Sequence, residues 1–327
     1  MSTCAVPDKW SAQRYNTNAH FVYSDTFTNP VVGMLAPHAG EDILDLGSGS
    51  GELTLSSLLP AVLPAGSIVA LDMSPSLLSK ASSNLASSAL SPTESERIQW
   101  VEKDGHDVGE LGTERFDAVF SNAALHWMKR DPAEVVRGVH KVLKKGGRYV
   151  AEVSPTSFRF AASASRSLSV PNPTGPNLAL DSVFPRLRTP ELGLILLPPF
   201  PKCGGALNMV GVRSMLHTVL ASRGIDASAV DPWYFPSPGV YRKLLEDAGF
   251  RVETCELVPR PTPLPTGLRG WLETFAFAFL DALPSPSDRD AVIDEVCQRL
   301  EIDMQPDGDD DSWTVMYVRL RFKAWKD

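Results

Sequence analysis

A chain of 327 residues with 43% hydrophobic and 21% charged side chains is ordinary for a globular protein, and holds one large domain or two small ones. Its formal charge of −8 offers no basic face for phosphates, so nucleic acid is not the expected partner. Cys4, Cys203, Cys255 and Cys297 show no paired or zinc-like spacing and read as free thiols of a reducing compartment, with no metal site expected. The first turns carry Asp8, Lys9, Arg14 and His20 without an apolar core, and no apolar run of spanning length occurs; no secretory signal and no membrane helix are expected, and the default location is cytoplasmic.

In chain order, residues 1–40 read as helical and irregular. Ile43-Leu44-Asp45-Leu46 then reads as a buried strand, and Gly47-Ser48-Gly49-Ser50-Gly51 as a tight turn into a helix from Glu52 to Leu59. Glycines let a ligand approach the backbone, and the helix start aims N–H groups at the same place, which suits an anionic or polar nucleotide-like ligand. The spacing is G-x-G-x-G, not the G-x-G-x-x-G of pyrophosphate-binding dehydrogenases. A second apolar run, Ser67 to Leu71, ends at Asp72, placed to accept two ribose hydroxyls. Ser74 and Pro75 cap the next helix. Ile98 to Val101 leads to Asp104, and Phe116 to Phe120 leads to Ser121-Asn122. A helix from Pro132 to Leu143, a Lys-Lys-Gly-Gly turn and a fifth run, Arg148 to Val153, complete an alternation that predicts an α/β, doubly wound, mostly parallel sheet.

Residues 154–203 break the pattern: nine of the chain's 27 prolines fall there, with seven serines and only Asp181 and Glu191 as acids. Such a stretch is expected to be a disordered insertion. Beyond it, residues 209–223 read as an amphipathic helix, Ser237 to Gly249 as another, and Phe250 to Leu257 as a sixth strand. Residues 259–266 hold four prolines and read as a stiff linker. Helices over Leu268–Leu283 and Asp288–Leu300 and a seventh, antiparallel strand from Trp313 follow. The expected organisation is a cap over 1–40, a nucleotide-binding core over 41–153, the insertion, and a segment 204–327 that completes the same domain with substrate-side helices over the active site and the last two of seven strands.

The runs Asp45 to Gly51, Leu71-Asp72-Met73-Ser74, Lys103-Asp104-Gly105 and Leu143 to Gly147 resemble the successive motifs of class I S-adenosylmethionine-dependent methyltransferases. Ser121-Asn122-Ala123-Ala124-Leu125-His126-Trp127 is similar to the trans-aconitate methyltransferase group within the type 11 methyltransferases. Trp10, Tyr15, Phe21-Val22-Tyr23 and Trp233 to Pro236 fit the fungal version of that group. Ser48 departs from the usual Cys, and the Asn/Asp-Pro-Pro-Tyr motif of base-directed amino methyltransferases is absent.

The resemblance implies S-adenosylmethionine as cofactor and a seven-stranded Rossmann-like methyltransferase fold. It places Gly47, Ser48, Gly49 and Gly51 at the methionine end and ribose, Asp45 at the amino group, Asp72 at the ribose and Met73 on the adenine. Asp104 with Gly105 would meet the adenine amino group, and Asn122 and Ala123 would lie beside the methyl group. His126 is either a general base or a packing residue. Trp10, Tyr15, Trp127, Arg213 and Trp233 are candidates for the acceptor pocket, with core packing or a solvated helix face as the alternatives. The expected activity is methyl transfer to a small-molecule acceptor, at oxygen of a carboxylate or secondary metabolite, by a monomer or homodimer. A cofactor-binding regulator without turnover and a nicotinamide oxidoreductase are the competing readings.

Overall fold

The structure, a computed structural model, describes residues 25–128, 130–153, 207–233, 235–305 and 312–327. The expectations for Trp10, Tyr15 and residues 154–203 lie outside these, as does the side chain of Trp127.

Helix α1 (Asp25–Leu35) precedes strand β1 (Asp42–Leu46). A wide π turn (Thr54–Leu58) and α2 (Leu59–Val62) lead to β2 (Ser67–Asp72), then α3 (Pro75–Ala86) and β3 (Ile98–Glu102). Strand β4 (Phe116–Asn122), α4 (Pro132–Val142) and β5 (Leu143–Val153) follow. The second half holds α5 (Val210–Ala221), α6 (Pro238–Asp247), β6 (Phe250–Pro263), α7 (Gly267–Phe275), α8 (Pro286–Met304) and β7 (Thr314–Lys326).

The seven strands form one sheet in the order β3-β2-β1-β4-β5-β7-β6. The pairs among β1 to β5 are parallel, and β7 runs antiparallel to both β5 and β6. Both faces are covered, so successive residues of a strand enter different cores. Leu44, Leu46, Val69, Leu71 and Val119 pack on one side with Val135, Val136 and Val139 of α4. Ile43, Ile68, Ala70, Ala118, Phe120 and Val150 pack on the other with Val31 and Leu35 of α1. A third cluster joins α5, α7 and α8 to Val315 and Tyr317 of β7. The sheet order reverses between β1 and β4, and the crevice at such a switch point is where doubly wound sheets bind ligands.

Local chemistry sets the boundaries. Ser74 accepts from the Leu77 N–H and Pro75 occupies the first turn, which fixes the start of α3. Asp131 and Pro132 do the same for α4. Arg148 caps the end of α1 by donating to the carbonyls of Leu35 and Ala36 while pairing with Glu41 at 2.8 Å. The Lys144–Gly147 turn is a bulge within β5, where the pairing slips between Phe116 and Ala118.

The proline-rich stretch corrects one expectation. Residues 259–263 are not a linker but the second half of β6, in register with β7 from Pro259↔Val318 to Pro263↔Thr314. The prolines alternate, and β6 is the outer strand of the sheet. Their missing N–H groups therefore fall on the side with no neighbouring strand, where proline is tolerated.

Candidate active site

The glycine loop leaves β1 in the left-handed region, with φ of 80° at Gly47, 58° at Gly49 and 79° at Gly51. A Cβ on Gly47 would lie 2.1 Å from Ala124 Cβ, and one on Gly51 would lie 2.6 Å from Trp100 Cη2. The glycines are thus required by the protein's own packing as well as by any ligand. The Gly47 and Ser48 N–H groups donate to the Leu71 carbonyl at 2.7 and 3.0 Å, and the Gly51 N–H to the Ser48 carbonyl at 3.1 Å. The Gly49 N–H donates to Asp72 Oδ2 at 2.9 Å. Four loop amides already bonded inside the protein do not make a pyrophosphate cradle. Ser48 Oγ is buried and has no hydrogen-bond partner among the described residues.

Asp72 ends β2 and is held from two sides. Its Oδ2 accepts from Gly49 and its Oδ1 from the Ser74 N–H at 2.9 Å. Met73 beside it is 60% exposed, an apolar side chain left open at the strand end.

Asp45 lies beneath the loop, buried, and accepts from Thr54 Oγ1 at 2.7 Å. The π turn is what aims Thr54 inward; Leu59 N–H reaches back to the Thr54 carbonyl immediately before Pro60, which has no N–H to donate. Burial pushes the Asp45 carboxyl up to about 7, against the Thr54 hydrogen bond and helped by the nearby charge of Asp72.

Asp104 caps a 3-10 turn (Gly105–Leu111) by accepting from the His106 N–H. Its Oδ1 also lies 2.6 Å from His106 Nδ1, and its Oδ2 lies 3.3 Å from Arg130. The Asp131 N–H donates to His106 Nε2 at 3.3 Å, so the ring proton sits on Nδ1 and points at Asp104. This bond, with Arg130, holds the Asp104 carboxyl down at about 2. Gly105 faces Met128, whose Sδ would lie 2.4 Å from an added Cβ.

The carboxyl end of β4 meets the loop directly. Ser121 Oγ donates to the Leu46 carbonyl at 2.7 Å, and the Ala123 N–H donates to the Glu152 carbonyl at 2.8 Å. Ala123 takes a φ of 58°, a strained value for a residue with a side chain and one that clusters at functional sites. The short turn Leu125–Trp127 follows, with His126 only 3% exposed. Burial, and then the charge of Arg319, hold the His126 imidazole well below its usual range.

The acceptor-side candidates divide. Arg213 Nε and His217 Nε2 both bind Asp231 Oδ2, at 2.6 and 2.8 Å. They stand one helical turn apart, and an acid of the protein sits between them. Trp233 is buried against Phe235, Trp271 and Phe279. Trp271 donates to the Tyr317 hydroxyl at 2.6 Å. Glu152, Arg319 and Arg321, absent from the sequence-based candidates, form a buried charged group with Arg260 at the end of β5. The only sequence signal is in β7, where Tyr317, Arg319, Arg321 and Lys323 fall at alternate positions. Among the described residues no group of His, Cys, Asp and Glu could hold a metal ion, and no helix is long and apolar enough to cross a membrane.

The residues present fit S-adenosylmethionine: an oriented acid at the second strand end, an open methionine beside it, an orphaned buried hydroxyl in the loop and a buried carboxyl under it. Comparison with known proteins agrees. Residues 44–151 match the methyltransferase-domain family. An uncharacterized methyltransferase of Schizosaccharomyces pombe is 31% identical over 98% of this chain and 99% of its own length. A methyltransferase structure from Bacillus halodurans, itself assigned only provisionally, matches with a TM-score of 0.52 at 16% identity, over 92% of this chain and 99% of that one. The YcgJ protein of Bacillus subtilis matches with a TM-score of 0.52 at 13% identity, over 94% of this chain and 98% of that one. The chain belongs to the S-adenosylmethionine-dependent methyltransferases.

Proposed function

We propose that the protein methylates an oxygen of a small carboxylate-bearing acceptor, a metabolite of the cytoplasm, as a monomer or homodimer and with no nucleic-acid partner. The observation that carries this reading is that, among the described residues, no poised base stands beside Asn122 and Ala123. Among the described residues the titratable groups there are His126 and Glu152. His126 is buried and held neutral, with little affinity for a proton. Glu152 is tied to arginines. A phenol or alcohol needs a base at this point, whereas a carboxylate arrives already ionised.

S-adenosylmethionine, when bound, supplies a methyl group on a sulfonium, already an excellent leaving group. The protein's own work is then placement and exclusion of water. In this reading Asp72 takes the ribose hydroxyls, Met73 covers the adenine, Asp104 with Gly105 borders it, and Ser48 and Asp45 serve the methionine end. Asn122 and Ala123 set the position where the acceptor oxygen meets the methyl group, and His126 packs beneath them.

The test is mass spectrometry on the full chain with S-adenosylmethionine and a panel of carboxylic acids, phenols and amines. The expected product gains one methyl as a base-labile ester. Methyl gain confined to phenols or amines overturns the carboxylate assignment. Cofactor binding with no gain on any acceptor favours the regulatory reading.

A further inference from the structure

A buried imidazole backs Asp104. The His106 side chain is 5% exposed, and both of its ring nitrogens are bonded inside the protein. Nδ1 donates to Asp104 Oδ1 at 2.6 Å, and the His106 backbone N–H donates to the same oxygen at 3.0 Å. Nε2 accepts from the Asp131 N–H at 3.3 Å. A backbone N–H can only donate, so Nε2 carries no proton and the ring proton faces the acid.

The ring bridges two elements. His106 belongs to the 3-10 turn Gly105–Leu111, whereas Asp131 is the N-cap of α4 and accepts from the Glu134 N–H at 3.0 Å. Turn and helix are in tight contact: a Cβ on Gly138 would lie 2.6 Å from Val108 Cγ1 and 3.0 Å from the Gly109 nitrogen. Val135, Val136 and Val139 of α4 are in turn buried against the sheet. The imidazole is fixed to the sheet through α4, and Asp104 is fixed to the imidazole. Packing alone does not call for this, since an apolar side chain of the same volume fills the space without burying two polar nitrogens.

The two donors on Oδ1 occupy both of its lone pairs and stop the carboxylate from turning. Among the described residues Oδ2 is met by Arg130 Nη1 at 3.3 Å, from a side chain that is 53% exposed. Asp104 itself is 30% exposed, so Oδ2 is the oxygen left to a ligand. The hydrogen bond from His106, against burial and with the help of Arg130, holds the carboxyl down at about 2. An ionised carboxylate only accepts, so the group placed before it must donate.

We propose that His106 is a positioning residue that makes Asp104 a reader of the adenine of S-adenosylmethionine: it holds Oδ1, presents Oδ2 to the 6-amino group, and so sets a preference for a 6-amino over a 6-oxo purine. This rests on the reading that Asp104 borders the adenine. A 6-oxo purine would set a carbonyl oxygen against an ionised carboxylate, and the mismatch is what discriminates.

The test is calorimetric titration of the full chain with S-adenosylhomocysteine and with its 6-oxo analogue, S-inosylhomocysteine. The wild type should prefer the 6-amino ligand at least about tenfold, the scale of one hydrogen bond to a charged group. The amide nitrogen of asparagine takes the place of Nδ1, and the amide oxygen of glutamine that of Nε2. His106→Asn thus keeps the donor to Asp104 and loses the Asp131 bond, and His106→Gln does the reverse. His106→Asn should keep most of the preference and His106→Gln should lose most of it. If His106→Gln fails to fold, His106→Leu carries the same expectation. Asp104→Asn, which puts a donor where the carboxylate was, should abolish or reverse the preference. Loss of the preference in Asp104→Asn with an unchanged ratio in His106→Gln, or an equal change in both His106 variants, overturns the role of His106 and leaves Asp104 at the adenine. An unchanged ratio in Asp104→Asn, or no preference in the wild type, removes Asp104 from the adenine and overturns the proposal with it.

Discussion

Among the described residues, the two halves of the sheet's carboxyl edge gather different charged side chains. At β1 and β2, Asp45 and Asp72 face a glycine loop whose amides are already bonded. At β5 and β7, three arginines gather about one glutamate. On the methyl-transfer reading proposed above, the first is the donor half and the second the acceptor half, with Asn122 and Ala123 at the junction. The halves also differ in how they are built. The donor half is local: loop, acid and helix cap lie within a short span of chain, from Asp45 to Ser74. The acceptor half is assembled from strands more than 160 positions apart, Glu152 and Arg321 being separated by 169 residues.

The largest expected effect concerns Asp45. In the unfolded chain its carboxyl titrates near the ordinary value of 3.8, and in the ligand-free fold near 7. Between these values the folded state binds the extra proton. The contribution is full below about pH 4 and is lost as pH rises toward 7, by at most about 4 kcal/mol. Asp45→Asn should flatten this part of the Tm-against-pH curve and leave the ligand-free variant more stable at pH 8. The same variant should bind S-adenosylmethionine more weakly, since it lacks the charge that would face the amino group. Identical pH profiles for variant and wild type would show that Asp45 is ionised in the fold.

Gly47→Ala comes next. Its new Cβ meets Ala124 at 2.1 Å with φ at 80°. Overpacking together with a left-handed alanine should cost about 2–4 kcal/mol, read by denaturant unfolding. A neutral result would mean that the contact between loop and β4 is loose, and the junction between the halves with it.

His126→Ala should have the smallest effect on the reaction. Cofactor affinity should hold, and turnover should fall by less than about tenfold, against the 10²–10⁴ that a general base supplies. A steep loss of turnover at unchanged affinity would make His126 a base and reopen phenols and alcohols as acceptors.

The fold, the glycine loop and the acids that follow the second and third strands were legible in the sequence because their signals are short-range: alternating strand and helix, alternate glycines, an acid closing an apolar run. The arginine group about Glu152 was not. Arg319 and Arg321 stand in a run that scans as an ordinary β strand, and only sheet register brings them to Glu152. Arg213 and His217 were readable as neighbours, whereas Asp231, which neutralises them, was not. Prolines 259 to 263 misled for a related reason: whether an alternating proline run is a linker or an edge strand depends on what lies beside it, and sequence does not say.

The methyl-transfer reading puts S-adenosylmethionine on the acidic half, its ribose at Asp72, which also braces Gly49 and Ser74. Isothermal calorimetry on the full chain, wild type and Asp72→Ala, tests it most directly. The wild type should bind saturably and one to one, and the variant should lose at least about tenfold, as when charge-assisted hydrogen bonds are removed. Equal affinity in the two proteins, or no saturable binding by the wild type, would contradict it.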